Sequence, residues 1–341
     1  MRVGLVGCGL IGRRRAEVVR RLETDELVIL ADVDRARAES VARETGSRVS
    51  ENWQDVISAD LDAVIVSTTN NWLAPVSRAA LETGRHVLVE KPMARTSAEA
   101  VGLVEGMTGR GVVLQVGFNH RYHLAVRRAH DLIREGAVGD LLFARARYGH
   151  GGRPGYDQEW RMDPRIAGGG GFLDQGIHIV DILRWFFGEF TEAFGFTAAY
   201  VWGAAALPMS GRPHVEDNGF AMLRTAGGQV ASFHTSLTQW KNLYCLEFFG
   251  DRGYLVVEGL GGSYGPERLV IGQRNMGGGV PDEETITFGA NDDSWTEQWR
   301  AFRQAVHDRV QPSGDGHDGI QALRLVEAVY DSARSGRVTR L

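Results

Sequence analysis

The sequence predicts an α/β domain with a parallel sheet, followed by an α+β domain with a large open, mostly antiparallel sheet. Three observations lead to this fold class. The chain of 341 residues is longer than one hydrophobic core usually serves. Short apolar runs alternate with helical segments up to about residue 120, as in βαβ units, and strand-like segments joined by glycine-containing turns predominate beyond it. We therefore predict domains at 1–120 and 121–341.

The composition is that of an ordinary globular protein and narrows the classes of partner. Hydrophobic residues make up 43% of the chain, and the formal net charge is −5. A chain without an overall positive charge is a poor candidate for binding nucleic acid or an anionic membrane. No apolar stretch reaches about 18 residues, and Cys8 and Cys245 are too isolated to indicate a disulfide framework. We expect a cytoplasmic protein whose partner is a small molecule.

The chain begins with a strand, a glycine-containing turn and a helix. The apolar run 3–6 is followed by glycines at 7, 9 and 12 and by a helical segment at 13–22. In this GxGxxG context the first glycine permits a tight turn, the second lets the backbone approach a pyrophosphate, and the third lets helix and strand pack closely. The helix N-terminus then faces the anion. The predicted cofactor-binding residues of this turn are Gly7, Gly9, Leu10, Ile11 and Gly12.

Asp32 follows the second predicted strand, 27–31, and lies 20 residues beyond Gly12. A carboxylate at this strand end can accept hydrogen bonds from the ribose hydroxyls of an adenosine and would repel a 2′-phosphate. This position favours NAD over NADP. Arg35 and Arg37 are close enough in sequence to hold a phosphate, so NADP stays open as the less favoured cofactor.

The ends of the later strands add polar candidates, because ligands of parallel sheets lie beyond the carboxyl ends of the strands. Segments 67–71 and 90–92 follow predicted strands at 63–67 and 86–89. Lys91 can hydrogen-bond to a substrate hydroxyl and a cofactor ribose together, and its charge would favour an alkoxide. A surface lysine that ends a strand is an equally good interpretation. The cofactor candidates at these strand ends are Thr68, Asn70, Glu90, Lys91 and Asn119.

The glycine-rich segment 168–181 carries the candidate proton-transfer site. Asp174 and His178 are four residues apart at the start of an apolar run, so on a helix they would share one face. A carboxylate and an imidazole placed together can transfer a proton. A helix-capping or core histidine is the structural alternative. A metal site that includes Asp181 is a weaker one, since no further histidine-rich motif supports it.

The second domain is predicted from its strands and two closing helices. The helices are expected at 295–306 and 320–333, and a broad sheet of this kind needs cover on its second face, for which a partner subunit is one option. Tyr148 and Trp240 could stack on a sugar face, although aromatic residues on strands more often belong to the core. We predict strands at 142–148, 193–202, 219–223, 229–237, 244–249, 254–258 and 268–271. No functional context is assigned to His120, His123, His150 and His234.

Four motifs, taken together and in order, resemble the Gfo/Idh/MocA family of sugar and cyclitol oxidoreductases. They are GxGxxG near the N-terminus, EKP at 90–92, GFNxR at 117–121 and the glycine-rich segment that ends in Asp-x-Gly-x-His at His178. The resemblance implies an N-terminal Rossmann dinucleotide-binding domain and a C-terminal sheet domain for substrate binding and oligomerisation. It also implies a homodimer or homotetramer formed through that sheet.

The resemblance assigns roles to individual residues. Lys91, Asp174 and His178 become the catalytic group: His178 as general base, Asp174 to orient it or bind a neighbouring hydroxyl, and Lys91 to position the reacting oxygen. Trp160 and Arg161 occupy the position of a Trp-Arg pair near the cofactor. The substrate-binding residues are Lys91, Arg121, Tyr148, Asp174, His178 and Trp240, and no metal is expected. The sequence departs from the family pattern at Thr68-Thr69, where Thr-Pro is usual, and at Leu73, where histidine is frequent.

Further segments look like a subgroup associated with nucleotide sugars or glycosides. They are WRMDPRIAGGG at 160–170, VEDN at 215–218, SLTQWKN at 236–242 and EGLGGSYG at 258–265. This likeness implies NAD-dependent oxidation of a ring hydroxyl, with C3 as one candidate position, in a sugar, a nucleotide sugar or a glycoside such as an aminoglycoside. An NADPH-dependent ketosugar reductase and a non-catalytic dinucleotide-binding sensor are the alternatives.

Overall fold

The computed structural model describes residues 1–22, 24–203, 215–289 and 291–341 in two compact units. The first unit comprises Met1–Phe118, Arg165–Gly168 and Trp295–Gln321, and the second comprises Asn119–Pro164, Gly169–Ser294 and Ala322–Leu341. The sequence prediction placed 165–168 and 295–321 in the second domain, whereas the structure places both segments in the first unit.

The first unit contains a six-stranded sheet in which every neighbouring pair is parallel. Its order, β3-β2-β1-β4-β5-β6, is that of a doubly wound dinucleotide-binding fold. The strands are β1 (Arg2–Val6), β2 (Glu26–Ala31), β3 (Arg48–Ser50), β4 (Ala63–Val66), β5 (His86–Val89) and β6 (Leu114–Val116). The helices are α1 (Leu10–Arg21), α2 (Arg35–Thr45), α3 (Trp53–Ser58), α4 (Asn70–Glu82) and α5 (Ser97–Glu105). The short elements β3 and α3 were absent from the sequence prediction.

The core of the first unit explains why a late helix belongs to it. Strand β4 is buried at every position, as expected for a parallel sheet covered on both faces. Trp299 and Phe302 are fully buried in the same cluster as Leu5 and Ile65 of the sheet. The Trp299 indole also donates a hydrogen bond of 2.9 Å to Asp25 Oδ2. Segment 295–321 therefore completes a core that the first 118 residues begin.

The second unit contains a nine-stranded sheet in the order β14-β13-β12-β11-β7-β10-β9-β8-β15. Among its described pairings only that of β7 with β10 is parallel, which confirms the predicted, mostly antiparallel sheet. The strands are β7 (Leu141–Gly149), β8 (Phe190–Ala198), β9 (Asn218–Thr225), β10 (Val230–Ser236), β11 (Leu243–Gly250), β12 (Gly253–Glu258), β13 (Arg268–Gln273), β14 (Asp282–Thr287) and β15 (Thr339–Arg340). The predicted strand at 193–202 was wrong in its limits, and β14 and β15 were not predicted.

The later helices of the chain are α6 (Leu124–Arg134), α7 (Pro164–Ala167), α8 (Ile177–Phe187), α9 (Ser294–Asp308) and α10 (Gly316–Ser335). Of these, α6, α8 and the later part of α10 belong to the second unit and cover one face of its sheet. Phe186 of α8 stacks on Phe248 of β11 with ring centroids 4.2 Å apart. The opposite face exposes large apolar side chains, including Phe196 at 60% and Met222 at 54% of their surface. The alternation of buried and exposed residues along β9 produces these two faces.

Candidate active site

The three glycines of the first turn are required for different physical reasons. Gly7 has a φ of +96°, and a methyl group there would lie 2.4 Å from the Ser67 carbonyl oxygen. A methyl group at Gly12 would lie 1.9 Å from the Gly7 carbonyl oxygen. At Gly9, in contrast, a methyl group would meet no atom of any described residue within 4 Å. The space before Leu10, where α1 begins, therefore fits the diphosphate of a dinucleotide.

The Asp32 side chain is held in place at the end of β2. Its Oδ2 accepts a hydrogen bond of 2.6 Å from the Cys8 N–H, and its Oδ1 accepts one of 2.8 Å from the Asp34 N–H. Arg35 lies 2.8 Å from Glu39 and 2.5 Å from Glu51, and Arg37 lies 3.0 Å from Asp34. Carboxylates thus offset the charge of both arginines that could have held a 2′-phosphate.

Glu90 is part of a buried ion pair. Arg15 Nε donates to Glu90 Oε1 at 2.8 Å, and Arg15 Nη2 donates to Gln298 Oε1 at 2.7 Å. On the other side of Lys91, Met93 is fully buried with a φ of 74°. The short loop that carries Lys91 is therefore anchored at both ends.

The other predicted cofactor residues at the strand ends make contacts within the protein. Asn70 Nδ2 donates to the Ala167 carbonyl oxygen at 2.8 Å, and Thr68 Oγ1 donates to the Thr69 carbonyl oxygen at 3.1 Å. Asn119 lies in the second unit, where its Nδ2 donates to Ser294 Oγ at 3.0 Å. These contacts fix the side chains of the two asparagines.

Asp174 and His178 lie in the second unit on different kinds of helix. Asp174 belongs to a π-helical turn, Phe172–Gly176, and His178 to the first turn of α8. The sequence analysis reasoned that on a helix the two residues would share one face; in the structure a π-helical turn around Asp174 continues directly into α8. A π-helical turn widens the backbone locally, and such turns are frequent at functional sites.

Glu216 supports this turn and was missed by the sequence analysis. Its Oε1 accepts hydrogen bonds of 3.0 Å from the N–H groups of Gly170 and Phe172 and one of 2.6 Å from the Tyr330 hydroxyl. A methyl group at Gly170 would lie 2.1 Å from the Glu216 carbonyl oxygen, so the glycine lets the two segments meet. Burial raises the pKa of Glu216, although these hydrogen bonds oppose the shift. The close approach allowed by Gly170 is therefore to the segment VEDN.

His178 stacks on another histidine. The imidazoles of His178 and His120 have centroids 3.9 Å apart and are inclined by 13°. Tyr148 and Tyr244 meet the His120 ring edge-on, at 5.1 and 5.3 Å. Both histidines are buried. His120 is thus a site residue that sequence reasoning missed, and its position in GFNxR was the available signal.

A buried ion pair connects the segment of His120 to helix α8. Arg121 Nε and Nη2 donate to the two carboxylate oxygens of Asp181 at 2.8 and 2.6 Å. Arg121, a predicted substrate-binding residue, therefore has a contact within the protein. His123 Nδ1 lies 2.6 Å from Glu267 Oε1. Among the described residues, no group of three or more His, Cys, Asp and Glu could hold a metal ion.

The predicted Trp160–Arg161 pair lies beside Asp174. Arg161 Nε is 3.7 Å from Asp174 Oδ2, and its guanidinium lies over the Trp160 ring, 4.6 Å from the centroid. Tyr264 hydrogen-bonds to Tyr148, and burial raises the pKa of Tyr264 to about 12. Burial also raises the pKa of Tyr148 well above its ordinary value. Both tyrosines remain neutral hydrogen-bond donors at any physiological pH.

A parallel sheet of this order with a three-glycine turn defines a dinucleotide-binding protein, and the second unit adds a buried pair of stacked histidines. Residues 1–118 match the family model described as the oxidoreductase family with an NAD-binding Rossmann fold. Residues 126–256 match the model of the GFO/IDH/MocA C-terminal domain. The chain belongs to the GFO/IDH/MocA family of oxidoreductases.

Similar proteins cover nearly the whole chain. The inositol 2-dehydrogenase of Rubrobacter xylanophilus is 30% identical over 343 residues, which cover 98% of this chain and 91% of that protein. The 1,5-anhydro-D-fructose reductase of Ensifer adhaerens is 29% identical over 351 residues, which cover 100% of this chain and 98% of that protein. The solved structure of levoglucosan dehydrogenase with NADH and levoglucosan has a TM-score of 0.89 at 23% sequence identity, and the match covers 100% of this chain and 99% of that chain. The two proteins therefore share a fold. In the described parts of this chain, no helix is long and apolar enough to cross a membrane.

The glycine turn generates a prediction that separates binding from packing. Gly9→Ala should weaken NADH binding at least about tenfold while the melting temperature of the free protein stays within about 2 °C, because the added methyl group points into open space. Gly12→Ala should lower the melting temperature, because its methyl group meets the Gly7 carbonyl oxygen. NADH fluorescence titration and a thermal melt measure the two effects. Unchanged NADH affinity in Gly9→Ala would contradict the assignment of this turn.

Proposed function

We propose that this protein is an NAD-dependent dehydrogenase that oxidises a ring hydroxyl of a sugar or cyclitol, free or within a glycoside or nucleotide sugar, to a ketone. The buried His178, stacked on His120, carries this proposal because it is the group suited to accept a hydroxyl proton. The names of the similar proteins support a polyhydroxylated ring as substrate. NAD, when bound, supplies the acceptor for the hydride that leaves the carbinol carbon.

The cofactor is assigned to residues of the glycine turn and the end of β2. The N-terminus of α1, with the open space at Gly9, suits the diphosphate, and the fixed Asp32 carboxylate suits the adenosine ribose. Both arginines of α2 near this carboxylate, Arg35 and Arg37, already pair with carboxylates of the protein. These observations favour NAD over NADP.

The base function of His178 is supported by its stacked neighbour. Two positive imidazoles 3.9 Å apart would repel each other by about 4 kcal/mol at an effective dielectric constant of ~20. The pair therefore binds one proton much more readily than two. A proton on one imidazole therefore disfavours a proton on the other, and a neutral His178 is able to accept the proton of a substrate hydroxyl.

Asp174 and Lys91 complete the proposed chemistry. Asp174, next to Arg161, is assigned to bind the neighbouring hydroxyl of the substrate or to orient His178. Lys91 is proposed to position the reacting oxygen, where an ammonium group stabilises the developing alkoxide; its motif and its anchored loop support this role. The buried Tyr244 and the half-buried Tyr148 lie edge-on against His120 and limit the access of water to the imidazoles.

A second candidate function is an NADPH-dependent ketosugar reductase. In this reaction the ketone is reduced to a hydroxyl, and His178 donates the proton instead of accepting it. The relative from Ensifer adhaerens, which is named a reductase, favours this candidate. A non-catalytic dinucleotide-binding sensor is the third candidate, but a buried base stacked on a second imidazole has no purpose in a sensor. Cofactor preference and turnover separate the three.

The uncovered face of the large sheet supports a homodimer or homotetramer as the functional assembly. Exposed aromatic and methionine side chains on β8 and β9 form an apolar surface of the kind that subunits cover. Both cysteines are free thiols, in keeping with the cytoplasm that we propose as the compartment.

Turnover is the first test. The protein mixed with NAD and a panel of sugars, cyclitols, nucleotide sugars and aminoglycosides should produce NADH absorbance with at least one compound. His178→Ala and Lys91→Ala should each lower kcat/KM at least about 100-fold while NADH still binds. A conservative change of an exposed residue, Met276→Ala, serves as the control. Tight NADH binding without turnover of any compound would favour the sensor.

The stacked histidines generate a pH prediction. His120→Phe keeps a ring against His178 but removes the second group that can hold a proton. The pKa of His178 should therefore rise, and the acid limb of kcat/KM should move to higher pH. A kinetic pH profile and an NMR titration of His178 measure both effects. An unchanged acid limb together with an unchanged titration would show that His120 only packs against the base.

Cofactor choice is tested at the end of β2. Wild-type protein should bind NADH more tightly than NADPH, and Asp32→Ser should reverse or erase the preference because it removes the charge that repels a 2′-phosphate. Asp34→Ser is the matched control, since Asp34 caps α2 two residues further on. Tighter binding of NADPH by the wild-type protein would instead favour the ketosugar reductase.

A further inference from the structure

An aromatic rim in the second unit includes Trp240, which the sequence analysis expects to bind substrate, and takes no part in the proton transfer proposed above. It consists of Tyr156, Trp202 and Trp240. The Trp202 and Trp240 rings are 6.4 Å apart, and those of Tyr156 and Trp202 are 6.1 Å apart. Trp202 Nε1 donates a hydrogen bond of 2.9 Å to the Leu237 carbonyl oxygen. Trp240 nevertheless exposes 67% of its surface.

The protein holds the exposed Trp240 in an unfavourable backbone conformation. Its φ is +55°, in the left-handed region that a residue with a large side chain rarely adopts. A methyl group at Gly151 would lie 2.9 Å from Trp240 Cα, and one at Gly152 would lie 2.4 Å from Trp202 Nε1. Two glycines thus allow the segments to pack closely. Such conformations persist where the surroundings impose them and are frequent at ligand-binding sites.

The rim lies close to the proposed reaction site. Arg161 Nε is 3.7 Å from Asp174 Oδ2, and Glu159 pairs with both Arg161 and Arg153. The Arg153 guanidinium in turn lies over the Tyr156 ring, 5.4 Å from its centroid. The rim is also connected along the chain, since His150, which meets the Tyr156 ring edge-on at 5.8 Å, follows Tyr148 by two residues. A molecule bound at Asp174 can therefore extend toward Tyr156 and the tryptophans.

The charges between Asp174 and the rim are paired. Glu159 lies 2.5 Å from Arg153 and 3.2 Å from Arg161, and Arg161 reaches Asp174. A diphosphate needs cations that are available to it, as in a bidentate arginine contact. Lys241, beside Trp240, is exposed and supplies a single solvated charge. These described residues suit an uncharged group better than the diphosphate of a nucleotide sugar.

We propose that Trp240 is a platform for the second ring of an uncharged glycoside whose first ring reacts at Asp174 and His178. The apolar C–H face of a sugar ring fits an exposed indole, and the fixed Trp202 keeps that indole in position. This inference rests on the proposed function and narrows its substrate class to glycosides of at least two rings, with nucleotide sugars disfavoured.

Binding to the NADH complex of the full-length protein tests the proposal. The probes are methyl β-D-glucopyranoside as the one-ring compound, cellobiose and maltose as two-ring compounds, and UDP-glucose as the charged compound. A disaccharide should bind roughly tenfold more tightly than the one-ring probe. Calorimetry gives the affinities, and the indole ¹⁵N–H signal of Trp240, identified by its loss in Trp240→Phe, should shift with disaccharide only.

Substitutions at Trp240 separate stacking from general effects. Trp240→Ala should remove the advantage of the disaccharide and leave affinity for the one-ring probe unchanged, whereas Trp240→Phe should keep most of the advantage. Met276→Ala, at another exposed apolar position, should change neither.

Three outcomes would overturn the inference. If Trp240→Ala still binds a disaccharide more tightly than the one-ring probe, Trp240 is not the platform for the second ring. Turnover of sugars by the same variant would show that the proposed function stands without this platform. Tighter binding of UDP-glucose that is lost in Arg153→Gln would assign the rim to a diphosphate. Failure of every sugar probe to bind would reject the rim and would also count against the proposed function.

Discussion

The buried ion pair between Arg121 and Asp181 is the interaction on which the proposed site depends. Arg121 follows His120 directly, and Asp181 lies one helical turn beyond His178 on α8. The two hydrogen bonds between them hold the segment of His120 against the helix that carries His178, where the two imidazoles stack. Removing one partner of a buried pair leaves an uncompensated charge and typically costs about 3–5 kcal/mol.

The first unit repeats the same physical arrangement at Lys91. The buried pair of Arg15 and Glu90 holds the residue immediately before Lys91. In the same way, the pair of Arg121 and Asp181 holds the residue immediately after His120. Arg15 also lies over the Trp295 ring at 4.5 Å, so the late segment of the chain helps to hold it. In both units a charged pair that could serve as a binding group instead positions its neighbour. This explains why Glu90 and Arg121, both candidates from sequence, have their side chains directed into the protein.

The local parts of the fold were predictable from the sequence because their signals are local. A strand of apolar residues, a turn that needs glycine and a helix with one apolar face are all specified within about ten residues of each other. Gly7, Gly9 and Gly12 illustrate this, since each has the steric surroundings expected for its place in the turn. The packing of segment 295–321 into the core of the first unit could not be predicted from such local signals. Trp299 and Asp25 are 274 residues apart, and amphipathicity alone does not say which core a helix joins.

The residues proposed for the site were chosen from sequence motifs, whereas the contacts that connect them were not foreseen. The spacing of Asp174 and His178 indicated a helix, but a π-helical turn has no sequence signature of that kind and depends on the hydrogen bonds of Glu216. His120 had no assigned context, because nothing near it in sequence reveals an imidazole 58 positions later against which it stacks. Contacts that couple distant segments were thus the ones missed.

The burial of the site also decides which of its groups can respond to pH. Burial keeps the pKa of Tyr148 well above its ordinary value and that of Tyr264 at about 12, so both phenols are protonated wherever a histidine can act as a base. Burial lowers the pKa of His150, despite the opposing charge of Asp174, so His150 is neutral near pH 7. These three side chains therefore add no charge of their own to the proposed site near pH 7.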